Sequence, residues 1–107
     1  MHRLLILLGA LVGLLSAMPV LSHGEADWIG QGNYKDRNGV HCCNVGTDCL
    51  PVAYGEVIRI VGGWKHVPTG TVLMDGDPGI HENQDPHGRS FRCVRGEFKC
   101  FFPGIET

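Results

Sequence analysis

Five cysteines in a chain of 107 residues constrain this sequence more than any other feature, and three of them fall within ten residues, Val40 to Cys49 (VHCCNVGTDC). The other two, Cys93 and Cys100, lie near the C-terminus. A short chain buries too little apolar surface to hold itself together, and sulfur cross-links are the usual substitute in an oxidising compartment. Five is odd, so two disulfides leave one thiol over. Two bonds can be drawn in 15 ways, five choices of the omitted cysteine times three pairings of the rest. Loop closure discriminates among them: joining Cys49 to Cys93 restricts the unfolded chain by about 4 kcal/mol, closing Cys93 onto Cys100 by only about 2.5 kcal/mol. We expect two long-range bonds among Cys42, Cys43, Cys49, Cys93 and Cys100, running from the cluster to the last two cysteines. The remaining thiol should be Cys42 or Cys43, because adjacent residues rarely meet disulfide geometry. That thiol can link two copies into a dimer.

The N-terminus supports the oxidising setting. Met1-His2-Arg3 precedes an uncharged apolar run, Leu4 to Leu15, and then Pro19 and small residues up to Ser22. This is the layout of a secretory signal peptide, with cleavage expected between Ser22 and His23. The apolar run of roughly a dozen residues is shorter than the ~20 a spanning helix needs, so no stable membrane anchor is expected after cleavage. Residues 1–22 are thus read as the signal peptide and 23–107 as one small domain. The 107 residues less the leader's 22 leave 85, with eight basic side chains against eleven acidic ones, a net charge of −3 with histidines neutral. That balance argues against nucleic acid or an anionic membrane as partner.

Periodicity within the domain points to strands. Val57 to Val61 is a β-branched run, Gly62-Gly63 a turn signal, and Trp64 to Val67 a second run. A type I′ turn at the two glycines would set Val61 opposite Trp64 and Arg59 opposite His66. Thr71 to Met74 reads as a third strand. Ser90 to Val94 and Glu97 to Phe102 form a second hairpin around Arg95-Gly96. Residues 23–39 read as a polar loop across the body, and Asp75 to Gly88 as a solvated surface loop broken by two Asp-Pro steps. No stretch repeats apolar residues at three and four, so helix is expected for a turn at most. The expected fold is a small β-rich, disulfide-stapled single domain of two β-hairpins and long loops.

Candidate chemistry is sparse. His41, Cys42 and Cys43, with His23 at the new N-terminus, offer soft and borderline ligands for copper or zinc. Against them, a vicinal cysteine pair crowds one metal, and stapling explains the same residues. No Cys-x-x-Cys redox motif and no haem-attachment motif is present. The Asp75–Gly88 loop carries Asp75, Asp77, Glu82 and Asp85 beside His81 and His87 but fails the EF-hand offsets for calcium. Asp48 stands beside Cys49 with His41 close in sequence, which could suggest a thiol nucleophile with its base, but no protease signature is present and an oxidising compartment favours a bonded Cys49.

The order of features resembles a group of small exported uncharacterised bacterial proteins. The likeness rests on His23 and Trp28, on Cys42-Cys43 followed by Asp48-Cys49, on Gly63-Trp64 with Val67-Pro68, and on Gly88-Arg89, Phe91, Cys93 and Cys100-Phe101. It implies export and size class but brings no activity. The expected function is an exported, non-catalytic binding or structural module, periplasmic or secreted, without a cofactor, whose partner is a protein or a small ligand. The alternative is a copper- or zinc-handling periplasmic protein using His23 or the cysteine cluster.

Overall fold

A computed structural model describes residues 24–44 and 47–105. The expected signal peptide and His23 lie outside the described residues. Two three-stranded antiparallel sheets make up the fold. In the first, β1 (Cys49–Pro51) pairs with β5 (Phe91–Arg95), which pairs with β6 (Glu97–Phe102). In the second, β2 (Val57–Ile60), β3 (Gly63–His66) and β4 (Val72–Met74) follow in chain order.

The two expected hairpins form, but the first has a different register. Val57 faces His66, Arg59 faces Trp64 and Ile60 faces Gly63, so the turn is Val61-Gly62. Only Gly62 of that pair has a positive φ, at 76°. Gly63 is taken into the strand because β4 crosses it closely: a Cβ there would meet the Leu73 carbonyl at 2.8 Å and Met74 Cα at 3.0 Å. The turn signal was real; the tertiary contact decided which glycine the turn used.

In the second hairpin Gly96 alone separates the paired residues Arg95 and Glu97. A register shift follows, with Val94 opposite Phe98 and Cys93 opposite Cys100, so Lys99 is the extra residue of a bulge. Such an insertion breaks strict alternation along a strand. Phe98 and Phe101 therefore share one apolar cluster with Val57 and Leu73, while Cys100 and Phe102 join the other. β6 serves both cores at once.

The polar segment read as a loop contains a short 3-10 turn, Gly24–Ala26, and α1, Asp27–Gln31. Asp27 in the first turn complements the helix dipole and accepts a 2.7 Å hydrogen bond from Gln31. α1 lays Ile29 and Trp28 on the first core, against Phe91 and Phe102.

The Asp75–Gly88 segment is more ordered than a solvated loop. Phe101 donates its N–H to the Gly79 carbonyl and accepts the His81 N–H, so residues 79–81 cover the outer edge of β6. The Asn83 amide donates to the carbonyls of Arg89 and Phe102. The Asp85 carboxylate is 2% exposed and the Asp77 carboxylate 9%, paired with Arg89 and Arg37. Capping an edge strand in this way removes a site where another chain would pair.

Candidate functional site

Disulfides join Cys42 to Cys100 and Cys49 to Cys93. Cys49 and Cys93 face each other across the β1–β5 ladder. Cys42 instead ties the irregular 34–44 segment to β6. Cys43 is in neither bond and is buried. Burial first, and the negative charge of Asp48 second, push its thiol pKa up. A thiol shifted that way is protonated at neutral pH and is a poor nucleophile. Cys49 is bonded to Cys93, so it offers no thiol beside Asp48 and His41.

Arg95 organises the cysteine segment from beneath. Its Nη1 donates to the Cys42 carbonyl at 2.7 Å and to Asp48 Oδ2 at 3.2 Å, and its Nη2 lies 3.6 Å from Asp36 Oδ2. Asp36 in turn accepts the N–H groups of Asn38 and Val40. The 34–44 segment is thus fixed by hydrogen bonds as well as by sulfur.

Of the expected metal set, His23 lies outside the described residues, and His41 and Cys42 have other partners. His41 spends both ring nitrogens on backbone: Nε2 donates to the Gly32 carbonyl at 2.8 Å, and Nδ1 accepts the Cys43 N–H at 3.3 Å. Cys42 is bonded to Cys100. A different cluster forms, in which one ligand atom each of Cys42, Cys100 and His81 lie within 4.8 Å of one another. The sequence places His81 in the acidic loop, and nothing local announces that residues 79–81 lie along β6.

A second polar constellation was missed altogether. Glu56 accepts hydrogen bonds from His66 Nε2 at 2.8 Å, Arg92 Nε at 2.7 Å and the Ala53 N–H at 2.9 Å. His66 Nδ1 accepts the Thr69 hydroxyl at 2.8 Å, and the ring stacks on Phe98. Hydroxyl, imidazole and carboxylate in line suggest a nucleophile relay. Yet Thr69 Oγ1 also accepts the Thr71 N–H, pinning the β3–β4 turn, and neither of the two open grooves is lined by His66 or Thr69. The chain of bonds is a latch between the sheets.

Burial alone would raise the Glu56 pKa, but the bonds from Ala53, His66 and Arg92, with the Arg92 charge, hold it below the ordinary 4.5. A carboxyl lowered on folding contributes its stability above the unfolded value and loses it as pH falls through the folded value. Melting temperature should therefore drop as pH is taken from 6 to 3. Glu56→Gln should destabilise the domain at pH 7 by about 1–3 kcal/mol, because the Arg92 guanidinium and the His66 ring N–H lose a charged acceptor. The variant's acid slope should be shallower, with a residual part from Asp75 and Asp85, whose carboxyls are lowered by hydrogen bonds from Arg59 and Arg89. Parallel profiles for the two proteins in pH-resolved calorimetry would contradict this assignment.

Two open grooves stand out among the described residues. One, of about 640 Å³, is lined by His81, Asn83, Asp85, Gly88, Pro103 and Ile105 among others. The other, of about 610 Å³, lies between the sheets; the Pro51–Gly55 segment forms one wall and β2 the opposite one, with Trp64 and Arg89 also lining it. Tyr54 is fully exposed there and Ile58 partly so, at 42%. Arg59 lies 4.7 Å over the Trp64 ring and is held by Asp75 through two hydrogen bonds of 2.6 and 2.9 Å. This pairing follows from the corrected register, which puts Arg59 opposite Trp64.

Set against protein families, curated proteins and solved structures, the chain matches none of them. The geometry defines its class: a two-sheet, disulfide-stapled β domain. Among the described residues no helix is long and apolar enough to cross a membrane.

Proposed function

We propose that this protein is an exported, non-catalytic binding module, periplasmic or secreted, whose recognition surface is the cleft between the two sheets. The observation that carries the reading is that cleft, of about 610 Å³, which falls within the ~300–1,000 Å³ typical of ligand sites. Its residues suit the role. Tyr54 and Trp64 present aromatic surface with few rotatable bonds, and Arg59 supplies a planar donor already fixed by Asp75. Disulfides hold the sheet that carries one wall, so little ordering is left to do on binding. The partner is a protein segment or small molecule with an apolar or aromatic part.

A photo-reactive phenylalanine placed at position 54 or 58 tests this in the natural export compartment. Adducts of defined mass should form from both positions and not from position 97, which is exposed outside the cleft. The exported species should begin at His23 and weigh four hydrogens less than its reduced form. Absence of adducts at 54 and 58, or equal labelling at 97, would refute the cleft as the binding surface.

A further inference from the structure

The cluster of Cys42, Cys100 and His81 has the composition of a soft-metal site, closed by the bond between its two sulfurs. We propose that reduction of the Cys42–Cys100 disulfide opens a three-ligand site for monovalent copper, formed by the two thiolates and the His81 imidazole. The inference is independent of the cleft.

Three observations carry it. One ligand atom from each residue lies within 4.8 Å of the others, so an ion drawn between them needs only small movements. His81 is also prepared as a ligand. Its Nε2 lies 2.7 Å from the Lys35 carbonyl. A carbonyl oxygen only accepts, so Nε2 carries a hydrogen, which in the neutral ring leaves the Nδ1 lone pair as the ligand. Metal-binding histidines are oriented in this manner, with the second nitrogen donating to a backbone carbonyl. Stacking on Phe102, with ring centroids 5.4 Å apart, fixes the ring plane. Finally, each ligand residue has backbone contacts besides the disulfide. Cys42 is held by Tyr34 through its N–H and by Arg95 through its carbonyl, Cys100 lies in β6 opposite Cys93, and His81 donates its N–H to Phe101.

Ligand number and type select the ion. Zinc completes a tetrahedron, whereas two thiolates and one imidazole suit monovalent copper, which accepts three ligands. Both cysteines are fully buried, while His81 also lines the groove of about 640 Å³. The balance is closed. A dithiol reductant passes two electrons and two protons to the disulfide and is itself oxidised to a disulfide. Copper then displaces the two thiol protons to solvent and keeps its oxidation state.

The test uses the exported chain, reduced with a phosphine that is then removed under argon, and monovalent copper delivered from a chromogenic chelator. One equivalent should bind per reduced chain and none at comparable affinity to the oxidised chain. Binding should restore part of the sheet signal in circular dichroism, since metal affinity for a folded site is also folding free energy. Alkylation followed by mass mapping should find Cys42 and Cys100 protected while Cys43, Cys49 and Cys93 are modified. His81→Gln should weaken binding at least tenfold. Zinc offered in the same way should bind more weakly. Protection of other cysteines, unchanged affinity in His81→Gln, equal binding by oxidised protein, or preference for zinc would each overturn the proposal; the first two remain decisive even if a variant folds poorly.

Discussion

Reduction of both disulfides should lower the melting temperature by at least about 20 °C. Each bond closes a long loop, with sequence separations of 58 and 44 residues. Loop-closure entropy assigns about 4 kcal/mol to each. Small domains have about 5–15 kcal/mol in total, and in a domain of this size each kcal/mol moves the midpoint by about 4–8 °C. The apolar alternative is thin: the first core is five cysteines with Ala26, Ile29, Phe91 and Phe102, so sulfur is much of the interior itself. The comparison of single-bond variants adds a finer readout. Separations of 58 and 44 differ by only about 0.2 kcal/mol on a logarithmic scale. Any larger gap between Cys42→Ala/Cys100→Ala and Cys49→Ala/Cys93→Ala must come from packing, and we expect the second pair to suffer more because its sulfurs bridge directly paired strands. Thermal melts with and without phosphine, checked by intact mass, measure both. A reduced chain that melts within 5 °C of the oxidised one would remove cross-linking as the source of its order.

Local chemistry made some of this legible. The β-branched run at Val57, the Gly-Gly signal and the Phe-rich final segment announce hairpins through residue preference alone, and those hairpins form. The disulfides run from the cluster to the final hairpin, the arrangement favoured by loop length. What stayed hidden depends on partners far along the chain. Gly63 was assigned to the turn because nothing adjacent reveals β4 passing over it. The acidic loop read as solvated because its carboxylates look exposed until Arg37 reaches Asp77. Glu56, His66 and Arg92 carry no common motif; they meet only when β3 and β5 bring distant segments onto one carboxylate. His81 reaches the Cys42–Cys100 pair for the same reason, through a bridge between Ile80 and Phe101 that no periodicity encodes.

Phe102→Ala should destabilise the domain by about 3–5 kcal/mol, the usual range when a fully buried ring is deleted and the surroundings cannot close the space. Collapse is restricted here because the surrounding core is cross-linked by both disulfides and Phe102 itself sits in the β5–β6 ladder. The ring meets Trp28 and Tyr34 edge-on, at centroid distances of 5.1 Å each, and His81 face to face. Such edge contacts contribute about 0.5–1.5 kcal/mol each beyond area burial. They also hold α1, whose Trp28 Nε1 is buried with no acceptor among the described residues, so its seat depends on aromatic packing rather than on a hydrogen bond. The loss should therefore be local before it is global. In a Trp64→Phe background, where Trp28 alone reports, Phe102→Ala should shift emission to the red and raise quenching by iodide at temperatures well below the midpoint. Phe102→Leu, which refills part of the space, should fall between the variant and the wild type. A midpoint lowered by less than about 5 °C, or Trp28 emission unchanged, would mean that β6 does not seat the N-terminal helix and that the first core is held by its sulfurs alone.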